Sequence, residues 1–370
     1  MEINIIKILP KENNWIVKEL KNNKIKVNYI AKRGNYNRKS FIFPKKILID
    51  EKFVEALALY LGDGDFNNKD KRHLTFVSKD KDLVGFFLNF LRNYFRIKNK
   101  DITTLVHYKK SNNNLVKEWS NKLKIDRILT KYSNRHKEET CHIQINGVIF
   151  RLIFESVINN VLTNEIISDE NSRRAFLRGI FAAEGSIGID YLEKKPYISQ
   201  ITFNLSIKEK KLKNIISECL LLESVTFKVR ENIKDNSLEI NIQNWKNYIK
   251  LYNINLFYLC KRKQDRFNKI SKNLNVHIKF KPAFRKYFFE SLDMYQKDIA
   301  KKIDSWQANV SRTVDGTHLL RVEQILKLLN YSNYSKKDIV NNIEDIRIGS
   351  LTNLKPNHEC IKFLKEYKSI

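Results

Sequence analysis

The sequence predicts an α+β fold made of two similar halves, followed by a small all-α domain. An internal repeat is the main reason. Residues 56–64 (Ala-Leu-Ala-Leu-Tyr-Leu-Gly-Asp-Gly) match residues 177–185 (Leu-Arg-Gly-Ile-Phe-Ala-Ala-Glu-Gly) position by position. Further on, residues 74–83 match residues 203–212 in the same order. The spacing of apolar residues in each copy predicts a helix, two strands, a helix, strands and a helix. We therefore expect an old duplication with loops of unequal length.

The composition limits the class of protein. The chain carries 69 basic and 41 acidic residues, a formal net charge of +28. This surplus suits a polyanion, because each phosphate contact releases condensed counterions, although a lysine-rich proteome would also raise the charge. The chain has no long apolar run and its N-terminus lacks a signal-peptide pattern, so we expect a cytoplasmic protein without membrane association. The four cysteines form no CxxC pair and predict neither zinc binding nor disulfides.

The repeats divide the chain into four parts. We expect the first half at residues 53–165 and the second at residues 166–280. A short, basic, strand-like extension at residues 1–52 precedes them, and it could clamp DNA or add an edge strand. A third unit is expected at residues 281–370, after a boundary next to Pro282.

The two matching helices carry small residues where a close approach would need them. Ala58 and Gly62 lie one turn apart in the first helix, and Gly179 and Ala183 lie one turn apart in the second. Small side chains at such positions let two helix axes come close together. We therefore predict that the two helices pack side by side.

Each of these helices ends in an acid followed by glycine, at Asp63 and at Glu184. Side-by-side packing would place the two carboxylates within a few ångströms, near the negative ends of two helix dipoles. Carboxylates that close repel each other unless a cation lies between them, and hard oxygen ligands favour Mg²⁺. Such a site can activate water for phosphodiester hydrolysis. One acid–glycine pair alone would be an ordinary helix end, but two pairs inside matching repeats indicate a paired site.

On these motifs, residues 53–272 resemble the LAGLIDADG homing endonucleases of the single-chain type. The resemblance implies two αββαββα halves that form a DNA-binding saddle, and cleavage of both DNA strands with Mg²⁺ or Mn²⁺. The first motif departs from the family pattern by a second acid, Asp65, which could be an extra ligand or a hairpin residue. The residues that the resemblance implies around the metal are Asp63, Glu184, Gly62 and Ala183.

The resemblance also implies basic residues near the scissile phosphates. Lys261 is the best positional match to the catalytic lysine of the family, and Lys263 is the alternate. A cation there would stabilise charge in the transition state, although a basic helix start facing solvent is an equal interpretation. The first half has no lysine at the equivalent place. Lys79 and Lys208 occupy the same repeat position after a strand and are candidates for phosphate contacts.

Base recognition in such a saddle depends on side chains at alternate positions of the strands. A shift of one residue in register would turn each side chain to the other face. The polar and basic candidates are Thr75, His142, Gln144, Gln200, Asn204, Lys228 and Arg230.

A segment near the C-terminus resembles the helix-turn-helix of the Cro and repressor type. Ile299 and Ala300 lie on one face of a first helix, and Val310 anchors a second helix after a tight turn. Two residues depart from the pattern, since Asp304 replaces the usual turn glycine and the bulky Trp306 stands where a smaller residue is commoner. The second helix would present four polar side chains to DNA. They are Gln307, Asn309, Ser311 and Arg312.

Three functions follow from these features. The first is a site-specific, metal-dependent double-strand DNA endonuclease that acts as a monomer on a long asymmetric target. The second is a non-catalytic transcription regulator on the same scaffold, against which the retention of both acids argues. The third is an intron RNA maturase, which would make RNA a further partner.

Overall fold

The structure is a mixed α+β fold with helices packed on sheets around two hydrophobic cores. The larger core draws residues from Ile3 to Ile270, and the smaller core draws residues from Ile249 to Ile346. The computed structural model describes residues 2–11, 14–30, 40–65, 73–109, 114–125, 127–134, 138–162, 169–192, 195–271 and 274–350.

The N-terminal segment forms two small sheets. β1 (Glu2–Asn4) pairs with β5 (Lys46–Leu48), and a 3-10 helix (Ile5–Ile8) follows β1. A three-stranded antiparallel sheet has the order β2-β3-β4. Its strands are β2 (Asn14–Leu20), β3 (Lys24–Ile30) and β4 (Phe41–Pro44).

This N-terminal sheet is part of the larger core. Ile25 and Val27 are buried, and the rings of Phe41 and Phe43 each lie 5.9 Å from the ring of Phe150. The extension is therefore a small sheet packed against the first half, and not a single edge strand. The turn expected at residues 32–35 lies outside the described residues.

The first half contains a four-stranded sheet in the order β6-β9-β7-β8, and all its pairs except β7-β8 are antiparallel. Burial alternates along β6 and β9, so one face of the sheet packs on the core and the other face is open. The elements in chain order are α1 (Glu51–Asp63), β6 (His73–Ser78), α2 (Lys81–Phe95), a 3-10 helix (Asn99–Asp101), β7 (Ile102–Tyr108), α3 (Leu115–Leu123), β8 (Leu129–Tyr132), β9 (Thr140–Asn146) and α4 (Val148–Val161).

The second half contains an antiparallel sheet in the order β10-β11-β13-β12. Up to residue 253 its elements follow the order α, β, β, α, β, β, α, and one more helix follows. They are α5 (Glu170–Glu184), β10 (Gly185–Leu192), β11 (Lys195–Ser206), α6 (Lys210–Leu222), β12 (Lys228–Asn232), β13 (Ser237–Ile242), α7 (Trp245–Asn253) and α8 (Lys261–Ser271).

The first half departs from that order in two places. It inserts α3 and the parallel strand β8 between β7 and β9. Where the second half has the hairpin β10-β11, the described residues of the first half show a single bridge between Gly64 and Phe76. The αββαββα pattern therefore describes the second half more closely than the first.

The C-terminal unit is not all-α, which corrects the sequence-based expectation. β14 pairs antiparallel with both β15 and β16. Val276, Ile278 and Phe280 alternate along β14 and are buried in the smaller core, so residues 274–280 pack with this unit. The elements are β14 (Leu274–Phe280), α9 (Pro282–Glu290), α10 (Gln296–Lys302), α11 (Gln307–Asp315), β15 (Leu320–Arg321), α12 (Val322–Leu329), α13 (Lys336–Asn341) and β16 (Ile343–Ser350).

The C-terminal unit is docked on α7 of the second half. Ile249 of α7 is buried in the smaller core, and Lys246 Nζ lies 3.4 Å from Asp345 Oδ1. Residues 351–370 lie outside the described residues. None of the helices in the described part of the chain combines the length and the apolar character of a membrane span.

Candidate active site

Helices α1 and α5 run parallel and pack closely along one side. A Cβ atom on Gly62 would lie 2.4 Å from Ala183 Cβ, and one on Gly179 would lie 2.2 Å from the Glu55 carbonyl oxygen and 2.8 Å from Ala58 Cβ. Both positions therefore require glycine. The four small residues that predicted a close approach are the residues that meet at this contact.

Both helices begin at a capping aspartate and end at an acid. Asp50 Oδ1 accepts the N–H of Phe53, and Asp169 Oδ2 accepts the N–H of Ser172. The chain leaves each helix in an extended conformation, at the glycine that follows the acid. The parallel packing, with Gly62 against Ala183, places the two C-terminal ends side by side.

The structure therefore brings Asp63 and Glu184 together. A Cβ atom on Gly62, the neighbour of Asp63, would lie 3.2 Å from Glu184 Oε1. Both carboxylates are half-buried, and the hydroxyl of Ser78 donates a hydrogen bond to Asp63. Two carboxylates thus share one partly enclosed position at the end of the helix pair.

Burial raises the pKa of both acids. The pKa of Asp63 rises to about 7 because burial disfavours its charge and the negative Asp80 adds to the effect, while Lys263 opposes it. The pKa of Glu184 also rises to about 7, first through burial and then through the charges of Asp63 and Glu209. A cation between the two carboxylates would favour their ionised forms. A cation would therefore be favourable between the two carboxylates.

Lys263 is the basic residue that lies beside the two acids. Its Nζ donates to the carbonyl oxygens of Phe181 at 2.8 Å, Ala182 at 2.7 Å and Ala183 at 3.2 Å. An ammonium group is favourable at the negative end of a helix, and these bonds use its three N–H donors. Burial lowers the pKa of Lys263 to about 8. It therefore remains mostly charged at neutral pH and acts on the acids through its field.

Lys261, the first choice from the sequence, is exposed. Residues two apart on an α-helix point about 200° away from each other. Because α8 turns Lys263 inward, it turns Lys261 outward. The phase of the helix could have shown this, since Phe267 and Ile270 are buried and follow Lys263 at intervals of four and three residues.

An ion pair that the sequence did not reveal joins the two halves next to the acids. Arg262 Nε and Nη2 donate to the two carboxylate oxygens of Asp80, each at 3.0 Å. Burial acts to raise the pKa of Asp80, but the hydrogen bonds and charge of Arg262 outweigh it and lower that pKa. This bidentate pair fixes the start of α8 on the start of α2, and thereby positions Lys263.

Asp65, the extra acid of the first motif, is held by structural partners. The buried Arg151 donates to the Asp65 carboxylate and, at 2.7 Å, to its carbonyl oxygen. Asp65 Oδ1 also accepts the hydroxyl of Tyr60 at 2.6 Å and the N–H of Thr75 at 3.0 Å. Of the two interpretations, this network favours a hairpin residue over a metal ligand.

The polar residues expected to read bases in the first half lie on the open face of its sheet. Thr75 on β6 stands opposite Gln144 on β9, which stands opposite Thr103 on β7. His142 is two residues before Gln144 and shares its face, where its ring stacks on His107 with centroids 4.3 Å apart. The register therefore turns all the candidates of this half to the open face.

The second half has a more strongly charged open face. Asn204 stands opposite Glu239, which stands opposite Arg230, and Lys228 stands opposite Asn241. Gln200 shares this face and accepts a hydrogen bond from Asn241 Nδ2. The side chains of Lys228 and Arg230 are exposed, so both are accessible to a polyanion.

The two lysines that share a repeat position differ in their partners. Lys79 Nζ lies 2.6 Å from Glu138 Oε2 in an exposed ion pair. Lys208 is exposed, and its backbone N–H donates to Ser206 Oγ at 3.4 Å. Each lysine precedes an acid, Asp80 or Glu209, whose charge acts on the acid pair.

The donors at the paired helix ends fit a hard divalent cation. Asp63 and Glu184 supply carboxylate oxygens, and Gly62 and Ala183 have carbonyls in the last turns of their helices, where intrahelical donors are lacking. The Ala183 carbonyl already accepts Lys263 Nζ with one lone pair and has a second. Among the described residues, no set of three or more His, Cys, Asp or Glu side chains could hold a metal. Mg²⁺ does not need such a set, because it binds through one or two carboxylates together with water and phosphate oxygens.

In the C-terminal unit, α10 and α11 are two helices at the residues where a helix-turn-helix was expected. Asp304 adopts a left-handed conformation with φ of 50°, and the N–H of Ser305 donates to the Ala300 carbonyl at 2.9 Å. Aspartate tolerates this conformation better than most residues, which explains why the turn forms without glycine. Of the four polar candidates on α11, Gln307 and Arg312 are exposed, and Asn309 and Ser311 are half-buried.

No protein-family model matches the chain. No curated protein matches it. Among solved structures, I-DmoI in complex with DNA and Ca matches with a TM-score of 0.31 and 15% identity, over 56% of this chain and 91% of that chain. The meganuclease I-SmaMI bound to uncleavable DNA matches with a TM-score of 0.30 and 11% identity, over 59% and 92%. Full-length WhiA from Thermatoga maritima matches with a TM-score of 0.33 and 11% identity, over 78% and 95%.

Proposed function

We propose that this protein is a site-specific double-strand DNA endonuclease of the LAGLIDADG type that depends on a divalent cation, Mg²⁺ or Mn²⁺. The observation that supports this most is the pair of half-buried acids, Asp63 and Glu184, at the adjoining ends of α1 and α5. Like charges that are brought together by two repeated motifs are unfavourable for folding alone. Their presence in both motifs favours a role in holding a cation beside a phosphate.

Each part of the site has a role in the proposed reaction. The two carboxylates and the carbonyls of Gly62 and Ala183 would hold the cation, which supplies an activated water and neutralises charge on the phosphate when bound. The field of Lys263 lowers the pKa of both acids and so keeps a larger fraction of them ionised. The bidentate pair of Arg262 with Asp80 positions Lys263.

The two open sheet faces would lie along a DNA duplex on either side of the acids. The side chains of Thr75 and Gln144 would contact bases from one half, and those of Gln200, Asn204 and Arg230 from the other. The net charge of +28 supports a polyanionic partner. Because both acids belong to one chain, a monomer can address both strands of an asymmetric site. We place the protein in the cytoplasm, where it would reach its target DNA.

The C-terminal unit would lengthen the recognised site. Gln307 and Arg312 are exposed on α11, which suits a helix that enters a major groove. The unit is fixed to α7 through Ile249 and Lys246, so α11 would meet the DNA at a set distance from the acid pair.

Cleavage of a duplex library with a randomised central region tests this proposal without a known target. In Mg²⁺ we expect the protein to cut a reproducible subset of sequences, and we expect Glu184→Gln to lower the rate roughly a thousandfold, the scale of losing a catalytic group. Asp235→Asn, an exposed acid in a turn of the second half, is the matched control and should cleave normally.

Three outcomes would contradict the proposal. Normal cleavage by Glu184→Gln would remove the acid from the mechanism. Tight duplex binding without cleavage by the unaltered protein would favour a transcription regulator. A strong preference for structured RNA over duplex DNA in the same binding assay would favour a maturase.

A further inference from the structure

Trp306 carries the most exposed aromatic ring among the described residues. Its side chain is 80% exposed, and it stands immediately before Gln307, the first residue of α11. An indole offers a large apolar surface with one N–H donor, and it is usually buried against a partner. An exposed tryptophan combines apolar surface with a hydrogen-bond donor, which suits a contact with a partner.

The backbone at Trp306 is held by hydrogen bonds. The Trp306 carbonyl accepts the N–H groups of Asn309 at 2.9 Å and Val310 at 3.2 Å, which forms the first turn of α11. Val310 and Thr313 are buried and hold that helix against the smaller core. The ring therefore projects from a fixed base, and binding through it would require little ordering of the chain.

The two helices that Trp306 joins carry exposed cations. Lys297, Lys301 and Lys302 are exposed on the preceding helix α10, and Arg312 is exposed on α11. The nearby Asp304 is neutralised by Lys327, with Nζ 2.5 Å from Oδ2. Exposed cations on these two helices can contact the phosphates of a duplex, and an exposed apolar ring at the start of the second helix can contact a base edge in the groove.

We infer that Trp306 is a DNA-contacting residue whose indole packs into the duplex at the point where α11 approaches it. This inference rests on the proposed function, because it requires the C-terminal unit to bind duplex DNA. It extends that function to a residue outside the polar face of α11, and it makes the contact apolar as well as electrostatic. Apolar contact in the major groove favours the methyl group of thymine.

Fluorescence quenching by acrylamide tests the inference directly. Trp119 is buried and Trp15 and Trp245 are half-buried, so Trp306 dominates the quencher-accessible emission. Fragmented random-sequence duplex DNA in EDTA is the probe. In the unaltered protein, saturating DNA should protect the highly quencher-accessible component of the tryptophan emission. Trp306→Phe should lack that component with or without DNA.

The outcomes separate this inference from the proposed function. If a mobility shift shows saturation while the accessible component remains, Trp306 does not contact DNA and the inference fails alone. If no duplex DNA binds at all, the proposed function fails and the inference fails with it.

Affinity gives a second measurement. We expect Trp306→Ala to weaken binding to the same duplex about tenfold, the scale of truncating one interface residue that contributes to affinity. Thermal unfolding should not change, because the ring is mostly exposed. Leu221→Ala, an exposed apolar residue on α6 with 63% exposure, is the control. Equal affinities for both variants would overturn the inference.

Discussion

The two ends of the α1–α5 helix pair bury charge in opposite ways. Near the start of α1, Arg178 from the middle of α5 has Nε 2.6 Å from Glu55 Oε1 and Nη2 2.8 Å from Glu51 Oε2, and the hydroxyl of Tyr258 donates to Glu55. At the other end, two acids meet with the same sign of charge.

Under the proposed function, this difference separates a structural end of the pair from the end that carries the site. Opposite charges that satisfy each other inside a protein belong to the packing of the helices, and breaking them leaves an unpaired buried charge. Burial raises the pKa of Glu55 as well, so the two ends differ in the sign of the neighbouring charges, and like charges that meet at a surface of the fold are typical of a catalytic or metal-binding site. Each of the following predictions tests one side of this comparison.

The largest effect is expected from breaking the compensated end. Arg178→Ala would leave the buried carboxylate of Glu55 without its cation, so we expect the free energy of unfolding to fall by about 3–5 kcal/mol. Chemical denaturation followed by circular dichroism measures this. Arg230→Ala, at an exposed arginine, is the control. An unchanged denaturation midpoint for Arg178→Ala would contradict a structural role for this pair.

At the acid end, removing the charged groups is expected to reduce the loss of stability, and the size of this effect depends on pH. The pKa values of Asp63 and Glu184 are raised in the folded protein to about 7, whereas unfolded carboxyls titrate near pH 4. The folded state therefore binds more protons between these values, and the stability contributed by this pair is lost as pH rises from about 4 to about 7.

We therefore expect the double variant Asp63→Asn with Glu184→Gln to lose less stability than the unaltered protein over that range. The measurement is the difference between the two denaturation midpoints as a function of pH, without divalent cations. If the denaturation midpoints of the two proteins changed with pH in parallel, the ionisation of these acids would not be linked to folding. Added Mg²⁺ should stabilise only the unaltered protein, because a ligand stabilises the state that binds it.

A smaller effect is expected from the lysine at the acid end. Lys263→Met removes a positive charge that lowers the pKa of both acids, so the rising limb of the pH–rate profile should move to higher pH. Lys261→Met is the matched control and should leave the profile in place, because Lys261 is exposed. Similar shifts in both variants would mean that Lys263 has no special position.

The acid pair could be predicted from the sequence because it depends on local features. In each copy, the helix end, the small residues one turn apart and the acid–glycine pair all lie within the nine residues of the motif. Two such helices have few ways to pack closely, so the small residues largely determine the contact.

Features that depend on distant contacts could not be predicted in this way. The pair of Arg262 with Asp80 joins residues separated by 182 positions, and no local pattern links them. The choice between Lys261 and Lys263 required the phase of α8. The C-terminal sheet was missed because β14 lies where a domain boundary was expected, and its partner β16 follows only after five helices.

The most direct test of the central claim is to measure Mn²⁺ bound to the protein by electron paramagnetic resonance, in the presence of duplex DNA. Mn²⁺ takes the same oxygen ligands as Mg²⁺ and is observable in the free and bound states. We predict specific Mn²⁺ binding by the unaltered protein and its loss in the double variant Asp63→Asn with Glu184→Gln, with DNA binding retained. Equal Mn²⁺ binding by both proteins would show that these acids are not the metal site.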